Sequence, residues 1–589
     1  MTFSSRVSRR TVLAASAGAA AAPLVPVAGA QAAPKHGAGQ TYQLSVLGTS
    51  DTHGNVYNWD YYKDAEYDDS AHNDVGVAKL AGLINQIRDE PDVTTLVIDA
   101  GDTIQGTPLA TYYAKQEPIT DTGEKHPMAK AMNVLHYDAV TLGNHEFNYG
   151  LPLLNLWIRQ LGFPALAANA VNVATGRPAF RPYVIKKLTV GHKTLRVGIL
   201  GLTNPGTAIW DRANVEGRLR LEDLVATAAK WVPIMRRNGA DIVLISAHGG
   251  DSGTSSYGPE LPNENPTALI AQQVPGIDAI LFGHAHNDVP QRFVTNTQTG
   301  AQVLTSEPSR WGQRLTRMDF TLSRAKGKWV VDSKKSTTLN TNTVAEDPDV
   351  LRAVRKQHAK TVAYVNQVVA QSTETLSAAE SRYKDTPILD YINRVQTDTV
   401  TAALAGTEYA GLPVLSIAAP FSRTAVFPAG DVKIKDVAGL YIYDNTLEAV
   451  VLTGAEVKAY LEYSAKYFRT LAPGDPVDPA TISDPAVPDY NYDVISGITY
   501  DIDISKPVGE RITLVDVDPA ARFVVAVNNY RRSGGGNFPG IVKTQIYNAQ
   551  QEIRQLLIDW AQAKGAIDPA DFFVPNWRLV RAGVPVFPA

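Results

Sequence analysis

Thr141-Leu142-Gly143-Asn144-His145-Glu146 closes the short apolar run Tyr137-Asp138-Ala139-Val140 with an amide, an imidazole and a carboxylate side by side. A weak neutral metal ligand beside a proton-carrying group suits metal-assisted hydrolysis. Four further stretches repeat the arrangement. Gln43-Leu44-Ser45-Val46-Leu47-Gly48 runs into Asp51 and His53, and Thr95-Leu96-Val97-Ile98-Asp99 runs into Gly101-Asp102. Ile242-Val243-Leu244-Ile245 precedes His248-Gly249-Gly250, and Ile277-Asp278-Ala279-Ile280-Leu281 precedes Gly283-His284-Ala285-His286. In layered α/β proteins ligands bind outside the carboxyl ends of strands, so these repeated endings predict convergence on one site. Between them, Val77, Leu80, Ala81, Ile84 and Ile87 recur at helical spacing and predict a helix covering one face of the sheet.

Taken singly, a histidine after a strand is ordinarily structural and a Gly-Asp pair is ordinarily a turn or helix cap. Five of the eleven histidines fall within these endings, which favours a site. His72, His126 and His192 have no such context and read as surface or structural.

At 589 residues the chain is too long for one hydrophobic core, and two domains are expected. A hydrophobic content of 44%, a charged content of 19% and a net charge of -4 describe a globular protein without a general basic field. Such a chain is not built to attract a nucleic-acid polymer or an anionic membrane, so an anionic substrate must be held by local features. The absence of cysteine excludes disulfides and thiolate metal sites and leaves His, Asp, Asn, Glu or carbonyl as ligands. Ser8-Arg9-Arg10-Thr11-Val12-Leu13 is a twin-arginine pattern, followed by an Ala-rich stretch broken by Pro23 and Pro26 and by the cleavage-like Ala30-Gln31-Ala32. Residues 1–34 are therefore expected to be a signal peptide rather than a membrane anchor, with the protein secreted to the periplasm or outside the cell.

The order Asp-x-His, Gly-Asp, Gly-Asn-His-Glu, His-Gly-Gly, Gly-His-x-His resembles the metallophosphoesterase domain of the 5′-nucleotidase superfamily. The resemblance implies two divalent metal ions about 3.5–4 Å apart. Asp51, His53 and His286 would complete one site and Asn144, His248 and His284 the other, with Asp102 bridging by offering one oxygen to each ion. Mixed imidazole and carboxylate ligands suit Zn, Mn, Fe or Co and do not choose among them. His145 would be the general acid for the leaving oxygen. In the 5′-nucleotidase branch a carboxylate three residues later orients this histidine, whereas here the position is Asn148, which can hold the ring but adds no charge. The string Gly143-Asn144-His145-Glu146-Phe147-Asn148-Tyr149-Gly150, with Asp60-Tyr61-Tyr62-Lys63-Asp64 and Asp102-Thr103-Ile104-Gln105-Gly106, is similar instead to the bacterial 2′,3′-cyclic-nucleotide 2′-phosphodiesterase/3′-nucleotidases.

Asp347 to Gln371 carries Leu351, Val354, His358, Val362 and Val365 at helical spacing and is expected to be a linker helix, 347–371, between a metallophosphoesterase domain, 35–346, and a second domain, 372–589. In that second domain Phe421-Ser422-Arg423, Leu440-Tyr441-Ile442-Tyr443-Asp444-Asn445 and Asn528-Asn529-Tyr530-Arg531-Arg532-Ser533-Gly534-Gly535-Gly536 bring together aromatics, amides, a guanidinium and a glycine turn. A base needs stacking faces and edge hydrogen bonds, and a phosphate needs amides or a guanidinium. These strings resemble the family's C-terminal nucleotide-binding domain, which implies that Tyr443 and Tyr530 sandwich a base with Arg423, Asn445 and Gly535 nearby, Tyr441 being the substitute for Tyr443. Leu471 to Tyr492 is Pro/Asp-rich and reads as a loop insertion.

The expected architecture is a four-layer α/β metallophosphoesterase sandwich flanked by helices, plus a smaller α/β nucleotide-binding domain. The expected reaction opens a 2′,3′-cyclic nucleotide to a 3′-nucleotide and then dephosphorylates it. A 5′-nucleotidase or UDP-sugar hydrolase, and a non-catalytic nucleotide-binding surface protein, remain alternatives on sequence alone.

Overall fold

The computed structural model describes residues 40–587 apart from Gly258, Glu260, Asp444 and Pro473; the expected signal segment, 1–34, lies outside them. Two six-stranded sheets form the first half of the chain. One runs in the order Lys328–Asn340, Arg314–Ala325, Tyr42–Thr49, Val93–Asp99, Ala139–Thr141, Ala165–Leu166. The other runs Asp288–Thr295, Gln302–Pro308, Ala279–Phe282, Ile242–Ala247, Lys193–Leu202, Tyr183–Val190.

The apolar runs become strands because both of their faces are covered. Leu44, Val46, Leu96, Ile98, Leu244 and Leu281 fill the space between the sheets with Val197, Ile199, Met318 and Phe320. Their neighbours Leu47, Val97 and Val140 turn outward onto a helical layer that includes Val77–Arg88, whose Val77, Leu80, Ala81, Ile84 and Ile87 are all buried. Val243, Ile245, Ile280 and Phe282 turn outward onto Leu224, Ala228 and Val232 of Leu224–Arg237 and Ile270 of Thr267–Gln273. A strand buried on both faces reads as an unbroken apolar run instead of an alternation, and each fully buried Leu or Ile contributes about 1.5–3 kcal/mol. The result is helix, sheet, sheet, helix, as expected.

Within the sheets, Tyr42–Thr49, Val93–Asp99 and Ala139–Thr141 are parallel, as are Ile242–Ala247 and Ala279–Phe282. Their carboxyl ends therefore lie along one edge. Side chains cross between the sheets there: Thr141 Oγ1 donates to Ser246 O at 3.1 Å, Ser246 Oγ to Asp99 O at 2.9 Å, and Thr203 Oγ1 to Leu142 O at 2.7 Å.

The helix Pro348–Val365 is shorter than the expected linker, because Val368–Ser372 is a strand paired antiparallel with Gly430–Lys433. The β-branched pair Val368-Val369 favours that extended backbone. Val350 and Val354 join the core of the first half, and the His358 ring stacks on Tyr57 at 4.1 Å, so the helix is bonded to the first half as well as leading into the second. The second half is built on a five-stranded sheet in the order Val494–Ser496, Val414–Ala418, Arg522–Asn528, Thr446–Thr453, Tyr547–Glu552. Pro387–Leu404, Gly454–Ser464 and Ile553–Lys564 pack on it around a single core. Among the described residues no helix is long and apolar enough to cross a membrane.

Candidate active site

Each strand end expected to carry a polar group delivers it to the same edge. Asp51, His53 and His286 form one cluster and Asp102, His248 and His284 a second, each with ligand atoms within 4.8 Å of one another. Asp102 Oδ2 stands 2.9 Å from His248 Nε2 and 3.9 Å from His53 Nε2, so one oxygen faces both clusters. Its other oxygen, Oδ1, accepts the His145 backbone N–H at 2.8 Å. Asn144, the remaining expected ligand, is buried, and its Oδ1 has no hydrogen-bond partner among the described residues.

The chemistry of these donors fits divalent cations. His248 Nδ1 donates to Ala100 O at 2.9 Å and His53 Nδ1 to Gln105 O at 3.1 Å; a carbonyl can only accept, so each ring turns the lone pair of Nε2 to the site. His284 Nε2 donates to Glu264 Oε1 at 2.8 Å, which leaves Nδ1 as its ligand atom. Burial opposes charge on His53 and pushes its imidazole down to about 4.

The backbone of this edge is strained. Asp51 (φ 51°), His53 (47°), Asp102 (58°), His284 (83°) and His286 (60°) all occupy the left-handed region, at a cost on the order of 1–3 kcal/mol each. Residues in such conformations persist where surrounding structure over-determines them. Here Glu146 supplies much of that: its buried carboxylate accepts the backbone N–H groups of Asp102 at 2.9 Å, Thr103 at 2.5 Å and Gly143 at 2.6 Å. The third member of the Asn-His-Glu string is thus a tie between two ligand loops. A Cβ on Gly143 would collide with Asp102 Oδ1, so the loops can approach this closely only with glycine at that position.

His145 lies at the cleft surface, with Nε2 4.0 Å from Asp102 Oδ2 and Nδ1 2.7 Å from Asn148 Oδ1. Asn148 Nδ2 in turn donates to Asp211 Oδ1 at 2.7 Å. Burial pushes the Asp211 carboxyl up to about 7, although the bond from Asn148 and the nearby His145 ring pull the other way.

A cleft of about 2250 Å³ is lined by His53, Asn144, His145, His284 and His286 from the first half and by Tyr443, Asn445 and Tyr530 from the second. Tyr490, from the stretch read as a loop insertion, lines it too, 6.4 Å from Tyr443 ring to ring. Three expectations change. Arg423 does not line this cleft; Asp489 takes its guanidinium at 2.5 and 2.8 Å in a separate, smaller hollow. Gly535 does not line the cleft either; it lies against the Tyr530 ring, where a Cβ would come within 2.5 Å of Cζ. Tyr441 is 1% exposed, and its hydroxyl accepts from Asn445 Nδ2 at 3.3 Å, so it does not present a free stacking face.

Glu264, Asp211 and Tyr490 carried no sequence signal for the site. Each lies in an irregular or short segment and meets its partner only across the fold.

Residues 44–288 match the calcineurin-like phosphoesterase family and residues 368–543 match the 5′-nucleotidase C-terminal domain. The chain is 35% identical over 580 residues to the trifunctional nucleotide phosphoesterase protein YfkN of Bacillus subtilis, covering 91% of this chain and 39% of that much longer relative. It is 35% identical over 591 residues to the 2′,3′-cyclic-nucleotide 2′-phosphodiesterase/3′-nucleotidase of Salmonella typhimurium, covering 92% of this chain and 89% of the relative. The solved structure of a Staphylococcus aureus putative 5′-nucleotidase superposes with a TM-score of 0.72 at 24% identity, over 91% of this chain and 99% of that one, which establishes the shared fold. Fold and site together define a metal-dependent hydrolase of the metallophosphoesterase class. Within it, the chain belongs to the bacterial 2′,3′-cyclic-nucleotide 2′-phosphodiesterase/3′-nucleotidase family of the 5′-nucleotidase superfamily.

Proposed function

We propose that this protein opens 2′,3′-cyclic nucleotides to 3′-nucleotides, then releases phosphate from those 3′-nucleotides, and that its twin-arginine segment directs export. The observation that carries the proposal is a single cleft lined both by His145 with the histidine–aspartate clusters and by Tyr443, Asn445, Tyr490 and Tyr530. The Salmonella relative is named for the same pair of activities.

Asp51, His53 and His286 would hold one divalent cation, and Asn144, His248 and His284 the other, with Asp102 Oδ2 facing both. Such cations supply an activated water and neutralise charge on the phosphoryl oxygens. The chain's own residues do the rest. The tyrosines give the base a stacking face, which sets the ribose against the clusters. Asn148 holds Nδ1 of His145, so Nε2 is the atom that carries a proton to the departing oxygen. In the first reaction a water oxygen bonds to phosphorus as the P–O2′ bond breaks, O2′ takes the His145 proton, and the water gives up a proton to solvent, from which His145 is reprotonated. In the second another water oxygen bonds to phosphorus as the P–O3′ bond breaks, and O3′ takes the His145 proton in the same way. O2′ and O3′ are neighbours on one ribose, so one acid can serve both steps.

Metal-loaded enzyme given 2′,3′-cyclic AMP, 3′-AMP and 5′-AMP tests the proposal by resolving products over time. The 3′-nucleotide should rise and then decay as phosphate appears, and kcat/KM on 5′-AMP should be at least about tenfold lower, a difference of about 1.4 kcal/mol in transition-state stabilisation. Preference for 5′-AMP, or accumulation of the 2′-nucleotide, would overturn it.

A further inference from the structure

We infer that Asp211 is the positioning residue for His145 and acts on it through the Asn148 side chain. The inference rests on His145 being the group that protonates the leaving oxygen. Its basis is a three-membered chain of hydrogen bonds: His145 Nδ1 to Asn148 Oδ1 at 2.7 Å, then Asn148 Nδ2 to Asp211 Oδ1 at 2.7 Å.

The order of donors in that chain is set by chemistry. In its ionised form Asp211 accepts only, so it selects the NH₂ side of the Asn148 amide, whose Nδ2 donates to Oδ1. The amide oxygen must then face His145, and an oxygen accepts only, so the proton sits on Nδ1. Nε2 is left toward the cleft as the atom that exchanges a proton with the substrate. Without Asp211 the amide could turn over, present NH₂ to the ring and reverse the tautomer. Pull from the carboxylate on Nδ2–H also enriches Oδ1 and strengthens its hold on Nδ1–H.

The surroundings point to this role over a purely structural one. Asp211 is 5% exposed, and taking a carboxylate out of water is costly unless it is well bonded. Its backbone already serves the turns around it, with N–H donating to Thr207 O and C=O accepting from Asn214 and Val215. The side chain is not needed for those turns. Oδ1 accepts from Asn148, and Oδ2 has no hydrogen-bond partner among the described residues. The segment is also locked to the His145 loop, because Asn214 Nδ2 donates to Phe147 O at 2.9 Å and Asn148 O at 3.0 Å. The carboxylate missing three residues after His145 is thereby supplied from sixty-three residues further along the chain than Asn148.

The test compares wild type, Asp211→Leu, and the exchange variant Asn148→Asp/Asp211→Asn, in which the carboxylate moves next to His145 and every hydrogen bond in the chain can still form. Metal-loaded full-length proteins are assayed on 3′-AMP and on bis(p-nitrophenyl) phosphate, whose leaving group needs no proton. Asp211→Leu should lower kcat on 3′-AMP about 10- to 100-fold, the usual cost of removing a residue that orients a functional histidine. It should leave KM, bound metal and the nitrophenyl rate within about threefold, because the lost interaction acts only in the transition state for the poor leaving group. The exchange variant should recover most of the loss. In metal-free protein at a pH high enough to leave the ring neutral, ¹⁵N spectra of the His145 ring should show a single Nδ1–H tautomer in wild type and the exchange variant and a mixture in Asp211→Leu.

Retention of the Nδ1–H tautomer in Asp211→Leu, equal losses on both substrates, or an exchange variant no better than Asp211→Leu would each overturn the inference. His145→Asn run alongside separates the two readings. Equal losses on both substrates for that variant would sink the acid role of His145, while the ring spectra would still decide whether Asp211 sets its tautomer.

Discussion

Removing one aromatic face from the cleft should separate substrates that carry a base from those that do not. Tyr530 lines the cleft with its ring seated on Gly535, and Tyr443 and Tyr490 line it as well. Stacking a base on an aromatic face is worth roughly 1–3 kcal/mol, so Tyr530→Ala or Tyr443→Ala should cut kcat/KM on 2′,3′-cyclic and 3′-nucleotides by about five- to 150-fold. Bis(p-nitrophenyl) phosphate offers no base and should keep its rate within about threefold. The comparison needs kcat/KM, because a stack made equally in ground and transition states shows in KM alone. Gly535→Ala supplies an independent arm. Its Cβ would lie 2.5 Å from Tyr530 Cζ, closer than real contacts allow, so the ring must leave its seat although it remains present. This variant should reproduce the direction of Tyr530→Ala. Equal losses on both substrates for Tyr530→Ala would show that the ring supports the fold and not the base, and full nucleotide activity in Gly535→Ala would show that the observed ring position is not the one used.

Other perturbations have equally definite outcomes. Asp102→Ala should lose at least one ion and nearly all activity together, because its Oδ2 faces both clusters; two ions and full activity by metal analysis and phosphate release would refute the assignment. His145→Asn should keep its metals while slowing nucleotide hydrolysis by roughly 10²–10⁴-fold, and a smaller loss on the nitrophenyl ester is required. Away from the cleft, burial and the neighbouring Asp385 push Asp390 up to about 7 from an ordinary value of 3.8. The folded state then binds more protons than the unfolded chain across that window, so this group's contribution to stability falls as pH rises from about 4 to about 7. Thermal melting against pH should show that decline, and Asp390→Asn should flatten it; an unchanged slope in the variant would remove Asp390 as the cause.

Much of the first half was legible in the sequence because its signals are local. A strand covered on both faces is an unbroken apolar run, and parallel strands deliver the residues at their carboxyl ends to a common edge. Leu44 to Leu47 with Asp51 just beyond, and Ile242 to Ile245 with His248 just beyond, needed only neighbours in the chain to be read. The helix at Val77–Arg88 was likewise written in its spacing. The second half was less legible. Arg423, after an apolar run, looked like an anion ligand, but its ion pair with Asp489 depends on a loop that brings the two together across sixty-six positions. Gly535 was placed beside the base from its string, whereas its function depends on where the Tyr530 ring comes to rest.

By itself, the sequence determined the layered class and the order in which histidines and carboxylates follow the strand ends, since both are set by residue type and short-range periodicity. Tertiary structure alone decided how those groups are oriented. Glu264 fixes the ring of His284, Glu146 ties two ligand loops by their amides, Asp211 reaches His145 through Asn148, and Tyr490 enters the cleft from an irregular loop. Carboxylates of this kind obey no local period. Their partners are selected by burial, where an unbonded charge is costly and a neighbouring donor distant in the chain becomes the nearest source of stabilisation.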